Sequence, residues 1–305
     1  MKALYKWFAY KLPIRSKLLI SFSILVMVPI LVLGIYSYQQ SKENTERQIR
    51  STMESNLTRL TSELDTRFQR GGSTVRFLAY NLTFRNALEN SGHNASTMAQ
   101  VMNTSVEPTF WYFIAGDAYV KGMEVYSTKV RDKIGNFLLP VDDTVSQQAW
   151  YQQALDSYAT HWTYDGTEIC ANRAILDTNS SSEVIAVLRM FCYPASLLDA
   201  TDSMNYLDNG IRIVDENGQT VYARNSGVDA LDEAVRLLAE DGSETAALEQ
   251  GMLYKSRMEV SDWSIYYYLD KANITKELQP ILNTTILVVL ICLFLSIARL
   301  LSDCW

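Results

Sequence analysis

Histidine, cysteine and proline are scarce in this chain: its 305 residues include two, four and six of them. His93 and His161 stand far apart, with no cysteine or carboxylate cluster at ligand spacing around either, which argues against a metal centre. No G-x-S-x-G elbow, phosphate-binding loop, H-E-x-x-H or C-x-x-C occurs, so no catalytic constellation is expected and no cofactor is called for. Blocks of like charge are missing too. The net charge of −7 is spread along the chain, and the lack of a basic patch beyond the first 17 residues makes nucleic acid a poor partner.

Two long uncharged apolar runs stand out against these absences. Residues 18–38, LLISFSILVMVPILVLGIYSY, supply the ~20 mainly apolar residues that a membrane-spanning helix needs. Pro29 is compatible with such a helix. Lys2, Lys6, Lys11, Arg15 and Lys17 precede the run without an acidic residue, which holds the N-terminus in the cytoplasm and places the chain after Tyr38 outside. The run is too long for a cleaved signal peptide, and the stretch 34–38 offers no small-x-small site. Residues 281–301 form the second run, closed by Arg299, as expected of a return span. The expected layout is a leader at 1–17, a span at 18–38, an extracytoplasmic part at 39–280, a span at 281–301 and a short tail at 302–305.

Residues 41–70 lack glycine and proline and read as a helix. Ile49, Met53, Leu57, Leu60, Leu64 and Phe68 make a narrow apolar stripe, suited either to a partner helix in a homodimer or to the chain's own domain. Gly71 and Gly72 are expected to interrupt this stalk, which resumes to about Leu88 and closes a segment at 39–90. The polar stretch 89–105 reads as a loop or short helix. A hairpin is expected from 121–129 and 136–141, a helix over 143–155 capped by Asp143 or Thr144, and strands at 167–176 and 183–193. Trp162 falls in a turn-rich connector, and 194–205 reads as a linking helix.

A smaller set of elements repeats this order. Strands at 210–215 and 219–224 flank Asn217-Gly218, the strongest short hairpin signal; a helix is expected at 228–240, and a last hairpin at 251–260 and 263–270. The fold class is therefore α+β: two PAS-like modules in series, at 91–208 and 209–280, behind a long N-terminal stalk helix.

Only Cys170 and Cys192 lie in the extracytoplasmic part, with Cys292 in the second run and Cys304 at the end. A symmetric hairpin centred near Ser181 sets Cys170 opposite Cys192, which predicts a disulfide in an oxidising compartment. Seven Asn-x-Ser/Thr sequons occur, but Asn283 falls beside the second run and Asn56 in the helical seam, which argues against a glycosylated ectodomain.

The basic leader entering the first run at Ser16-Lys17-Leu18, the helix at 56–86, Trp150 followed by Trp162, the Arg173-Ala174-Ile175 strand, the hairpin at 213–218 and Trp263 resemble, in order and spacing, the sensory half of a YesM-like two-component sensor histidine kinase. The resemblance implies an extracytoplasmic double PAS-like (Cache) domain between two transmembrane helices in the cell membrane. It implies a small extracellular solute as ligand and a homodimer through the stalk and transmembrane helices. The family's HAMP linker, phospho-accepting histidine and ATP-binding domain are not in the sequence given, which is expected to be a truncated, frameshifted or fragmentary form, not itself an enzyme. A chemoreceptor, a cyclic-dinucleotide enzyme or a stand-alone membrane-anchored binding protein can carry the same sensor.

Binding is expected in the membrane-distal module. Tyr126, Trp150, Tyr151, Trp162 and Tyr164 offer stacking faces, while Asp165, Arg173 and Arg189 can fix a carboxylate or a hydroxyl pattern. The Trp150-Tyr151 pair is similar to the amino-acid-binding Cache motif, but Gln148 stands where that motif has arginine, which argues against amino-acid sensing.

Overall fold

The computed structural model describes residues 14–90, 95–180, 183–204, 209–224 and 251–270, together with 235, 238, 244–248 and scattered positions between 272 and 294. The chain divides into two compact units, one of Met1–Glu54 with Asp270–Trp305 and one of Ser55–Leu269. Helix α1 (Ile14–Ala79) is continuous and contains Pro29. In its first part Phe22, Leu25, Val32 and Leu33 are exposed apolar side chains. Among the described residues no helix is long and apolar enough to cross a membrane, so the two expected spans find no support there. Residues 1–13 of the leader and about half of the run at 281–301 lie outside the described residues, as does most of the helix expected at 228–240.

The unit Ser55–Leu269 holds two five-stranded sheets. After α1 come α2 (Leu82–Asn90), α3 (Ala95–Val101), a π-helical turn (Met102–Val106) and α4 (Glu107–Gly116). The first sheet contains β1 (Val120–Ser127), β2 (Leu138–Pro140), β3 (His161–Tyr164), β4 (Ile169–Leu176) and β5 (Val184–Cys192), with α5 (Asp143–Ser146) and α6 (Ala149–Asp156) between β2 and β3. A link of α7 (Pro194–Leu197) and a 3-10 turn (Asp199–Met204) leads to β6 (Gly210–Val214), β7 (Thr220–Arg224), β8 (Thr245–Ala247), β9 (Gly251–Arg257) and β10 (Ser264–Asp270). The orders are β2-β1-β5-β4-β3 and β7-β6-β10-β9-β8. Counted within each sheet the strand order is the same, as the repeated order of elements in the sequence announces, although β2 runs parallel to β1 and β7 antiparallel to β6.

Five expectations need correction. The glycine pair does not interrupt α1, because Gly71 lies against the first sheet: a Cβ there would stand 2.9 Å from Trp162 Cη2 and 3.1 Å from Met190 Cε. Glycine is retained for close approach, and the neighbouring turns carry the helix. Gly71→Val is expected to lower stability by ~1–3 kcal/mol through overpacking. Gly72→Ala, whose Cβ would meet nothing nearer than 3.8 Å, should instead be neutral or stabilising by about 0.5–1 kcal/mol. Urea unfolding of the two variants distinguishes the cases.

The first two strands do not form a hairpin, since β2 runs parallel to β1 with Val125 opposite Leu138. The connection reverses twice. Ile134 bridges back to Leu138, Gly135 takes a φ of 62°, and buried Glu107 accepts hydrogen bonds from Asn136 N and Nδ2, both at 2.7 Å. The helix expected at 143–155 is two short ones, the first capped by Asp142, whose Oδ1 accepts from Val145 N at 2.7 Å. Trp162 sits in strand β3 rather than in a connector.

The fifth correction concerns Cys170 and Cys192, which are both free and buried. Strand β4 pairs with β5 so that Cys170 faces Phe191 and Ile169 faces Cys192. This is one residue off the symmetric register, and a one-residue offset puts two side chains on opposite faces of a sheet. No bridge can form without breaking the ladder. With Cys292 and Cys304 replaced by serine, the denatured chain should titrate both remaining thiols as free and the native chain neither; one disulfide in the denatured chain would contradict this register.

The apolar stripe of α1 is buried as expected, with Leu57, Leu60, Leu64 and Phe68 at 5% exposure or less. Its occupant from Leu57 onward is the chain's own unit. Phe68 stands between Trp162 of the first sheet, centroids 4.5 Å apart, and Trp263 at the start of β10, centroids 5.2 Å apart. Asp65 accepts from Glu259 N and Val260 N at 3.1 Å, holding the β9–β10 turn. Arg67 donates to Leu197 O at 3.1 Å and pairs with Asp199 on the link between the modules. Three residues within one turn of α1, Asp65, Arg67 and Phe68, thus tie both sheets and their link to one helix.

Candidate functional site

The two faces of the first sheet differ in character. The face toward α1 is apolar: Met190, Ala171 and Trp162 line up through the pairs Ala171–Met190 and Trp162–Ala171. The opposite face carries a polar row. Glu124 of β1 pairs with Arg189 of β5, Arg189 with Asn172 of β4, and Asn172 with His161 of β3, so four polar side chains cross four strands in one line. Side chains opposite one another in register share a face, so backbone pairing alone dictates the row. Helix α6 covers this face, with Tyr151 and Ala154 packed on Val187 and with Tyr126 and Trp150 alongside.

Arg189 is the centre of the row. Its guanidinium lies 4.3 Å from the Trp150 ring centroid and 5.0 Å from that of Phe191. Its Nη2 donates to Asp165 Oδ2 at 2.9 Å and approaches Cys170 Sγ at 3.2 Å. Burial alone would raise the Asp165 pKa. The backbone N–H groups of Glu168 and Thr167 and the charge of Arg189 outweigh it and hold the carboxyl below its ordinary range. Burial pushes the Cys170 thiol up to about 11 against the opposing effect of Arg189, so it remains protonated and unreactive. Tyr126 donates to Glu124 Oε2, and burial followed by that bond raises its phenol strongly.

Three buried polar atoms of the row have no hydrogen-bond partner among the described residues: Arg189 Nε, Asn172 Oδ1 and His161 Nε2. Asn172 is fully buried, and its Nδ2 is engaged by Thr163 Oγ1 at 2.9 Å. A buried donor or acceptor without a partner costs about 1–3 kcal/mol, so three in one line call for an ordered water or a bound molecule to complete the network.

Of the residues singled out in the sequence, Tyr126, Trp150, Tyr151, Asp165 and Arg189 come together on this face. Trp162, Tyr164 and Arg173 do not. Trp162 packs under α1, Arg173 donates to Thr160 Oγ1 at 3.1 Å and lies over the Tyr80 ring, and the Tyr164 hydroxyl donates to Gly166 O at 2.8 Å. Sequence reasoning missed Glu124, Asn172, His161 and Phe191. The two-residue period could have found Glu124 beside Tyr126 and Phe191 beside Arg189. His161 and Asn172 become visible only through strand register.

No family model and no curated relative matches this sequence. Solved structures do match in fold. The extracellular domain of the candidate histidine kinase vpHK1S-Z8 superposes with a TM-score of 0.52 at 10% identity, over 76% of this chain and 99% of that one. The likeness is one of fold. An extracellular ligand binding receptor from Desulfohalobium retbaense superposes with a TM-score of 0.50 at 12% identity, over 70% of this chain; the match spans 39% of the receptor's own length. The histidine kinase DctB sensor domain of V. cholerae covers 73% of this chain and 98% of its own, with 8% identity and a TM-score of 0.46.

Proposed function

We propose that this chain is the ligand-sensing and transmembrane signalling region of a two-component sensor histidine kinase, and that it binds a small extracellular solute at the polar row beneath α6. The observation that carries the reading is the line of unpartnered buried atoms on Arg189, Asn172 and His161, flanked by Trp150. Binding there is a differential interaction, and it can bias the arrangement of α1 through its contacts at Asp65, Arg67 and Phe68. No catalytic step is assigned to the chain.

Membrane placement rests on the uncharged run at 18–38, its basic leader and the exposed apolar side chains Phe22, Leu25, Val32 and Leu33, with residues 39–280 outside the cell. Dimerisation would use this apolar stretch and the exposed side of α1, because the buried stripe from Leu57 to Phe68 is already occupied within the chain. A chemoreceptor output is the second reading, since the same fold serves an extracellular ligand binding receptor. Reading the coding DNA beyond residue 305 separates the two by the output domain it encodes.

The solute reading is tested by thermal unfolding of the detergent-purified full chain against a panel of small solutes. A ligand at a hundred times its Kd should stabilise by about 2.7 kcal/mol, raising the midpoint by several degrees. If no member of a broad panel moves the midpoint, the site does not bind small solutes and the reading falls.

A further inference from the structure

Resting on the solute-binding reading of the polar row, we infer that the ligand is an uncharged, amide-like solute, and that the site as built rejects carboxylates. The argument lies in how Arg189 is engaged. A guanidinium grips a carboxylate by two parallel N–H bonds, either side-on through Nε and Nη2 or end-on through Nη1 and Nη2. Both forks require Nη2. Here Asp165 Oδ2 accepts from Nη2 at 2.9 Å and Cys170 Sγ lies 3.2 Å from the same nitrogen, which accounts for both of its protons. Trp150 and Phe191 cover the flat faces of the group at 4.3 and 5.0 Å. What remains is Nη1, which neither fork can use without Nη2, and the buried, unpartnered Nε–H, suited to one carbonyl oxygen.

Charge points the same way. Asp165 pairs directly with Arg189, and Glu124 is its neighbour in the row, so an entering carboxylate would meet one cation already matched by two anions. The other open atom is an acceptor. Asn172 Nδ2 is held by Thr163, which leaves Oδ1 free for a ligand N–H. A donor on one strand and an acceptor on the next, with aromatic surface beside them, complement a solute carrying C=O and N–H together: a lactam, a ureide or a carboxamide.

The test titrates the detergent-purified full chain with four probes: uracil and 2-pyrrolidone as neutral amides, L-valine as a zwitterion and succinate as a dianion. At least one neutral amide should bind, weakened tenfold or more in Asn172→Leu, while L-valine and succinate stay silent. Asp165→Ala frees Nη2 and should gain binding of succinate or L-valine. The thermal midpoint of each unliganded variant separates lost binding from lost folding. If wild type binds succinate or L-valine and Arg189→Leu abolishes it, the site stands and the neutral class falls. If a probe binds regardless of Arg189 and Asn172, the site itself is misplaced. Silence of all four probes in wild type and in Asp165→Ala overturns the amide assignment.

Discussion

Phe68→Ala should lower the unfolding free energy of the unit Ser55–Leu269 by about 3–5 kcal/mol, among the largest losses available to a single truncation. The ring is fully buried between Trp162 and Trp263, themselves at 3% and 0% exposure, and each aromatic pair adds ~0.5–1.5 kcal/mol beyond burial. Neither tryptophan can close the gap alone. Trp162 is held in β3 against Gly71, and Trp263 is fixed by its place at the start of β10. A cavity bounded by two sheets and a helix collapses poorly. Chemical denaturation of the full chain, followed by tryptophan fluorescence, reports both rings at once. Phe68→Leu, which keeps most of the volume, should recover more than half of the loss. A loss below about 1 kcal/mol for Phe68→Ala would mean that the two sheets are not joined through this residue.

Arg189→Leu should cost at least tenfold in affinity for a solute held at the polar row while leaving the fold intact. Removing a charged hydrogen-bond donor to a bound solute costs ~1.5–3 kcal/mol, equivalent to a factor of about 10 to 150. The fold is spared because Asp165 keeps its bonds to Thr167 N at 3.0 Å and Glu168 N at 2.9 Å, and because it is partly exposed to water. Leucine also retains an apolar contact for Trp150 and Phe191. The measurement pairs a calorimetric titration with a thermal midpoint. Affinity should collapse while the midpoint stays within a few degrees; unchanged affinity would remove Arg189 from the site and, with it, the significance of the row.

The polar row explains why half of the site is legible in the sequence. Trp150, Tyr126, Asp165 and Arg189 are visible there as aromatic and charged residues inside a sheet-rich stretch, the composition that a solute pocket shares with a small core. Composition cannot decide between faces. Arg173 and Arg189 look equivalent in sequence, each within a strand of mainly apolar residues. They lie on opposite sides of the sheet, since Arg173 pairs with Leu188 rather than Arg189. The first therefore braces Tyr80 after α1, and the second floors the site.

The repeat of element order, the apolar stripe on α1, the Asn217-Gly218 turn with its φ of 80° and the paired strands β4 and β5 were set by local chemistry: periodicity, turn residues and β-branched runs. Tertiary structure alone decided that Gly71 is a contact and not a break, that β2 returns parallel to β1, that the thiols of Cys170 and Cys192 face apart, and that Glu124, Arg189, Asn172 and His161 fall in one line. The physical reason is common to all four. Each depends on which residue of one segment stands opposite which residue of another. In a sheet of period two, a shift of a single position exchanges the faces while leaving every local preference satisfied.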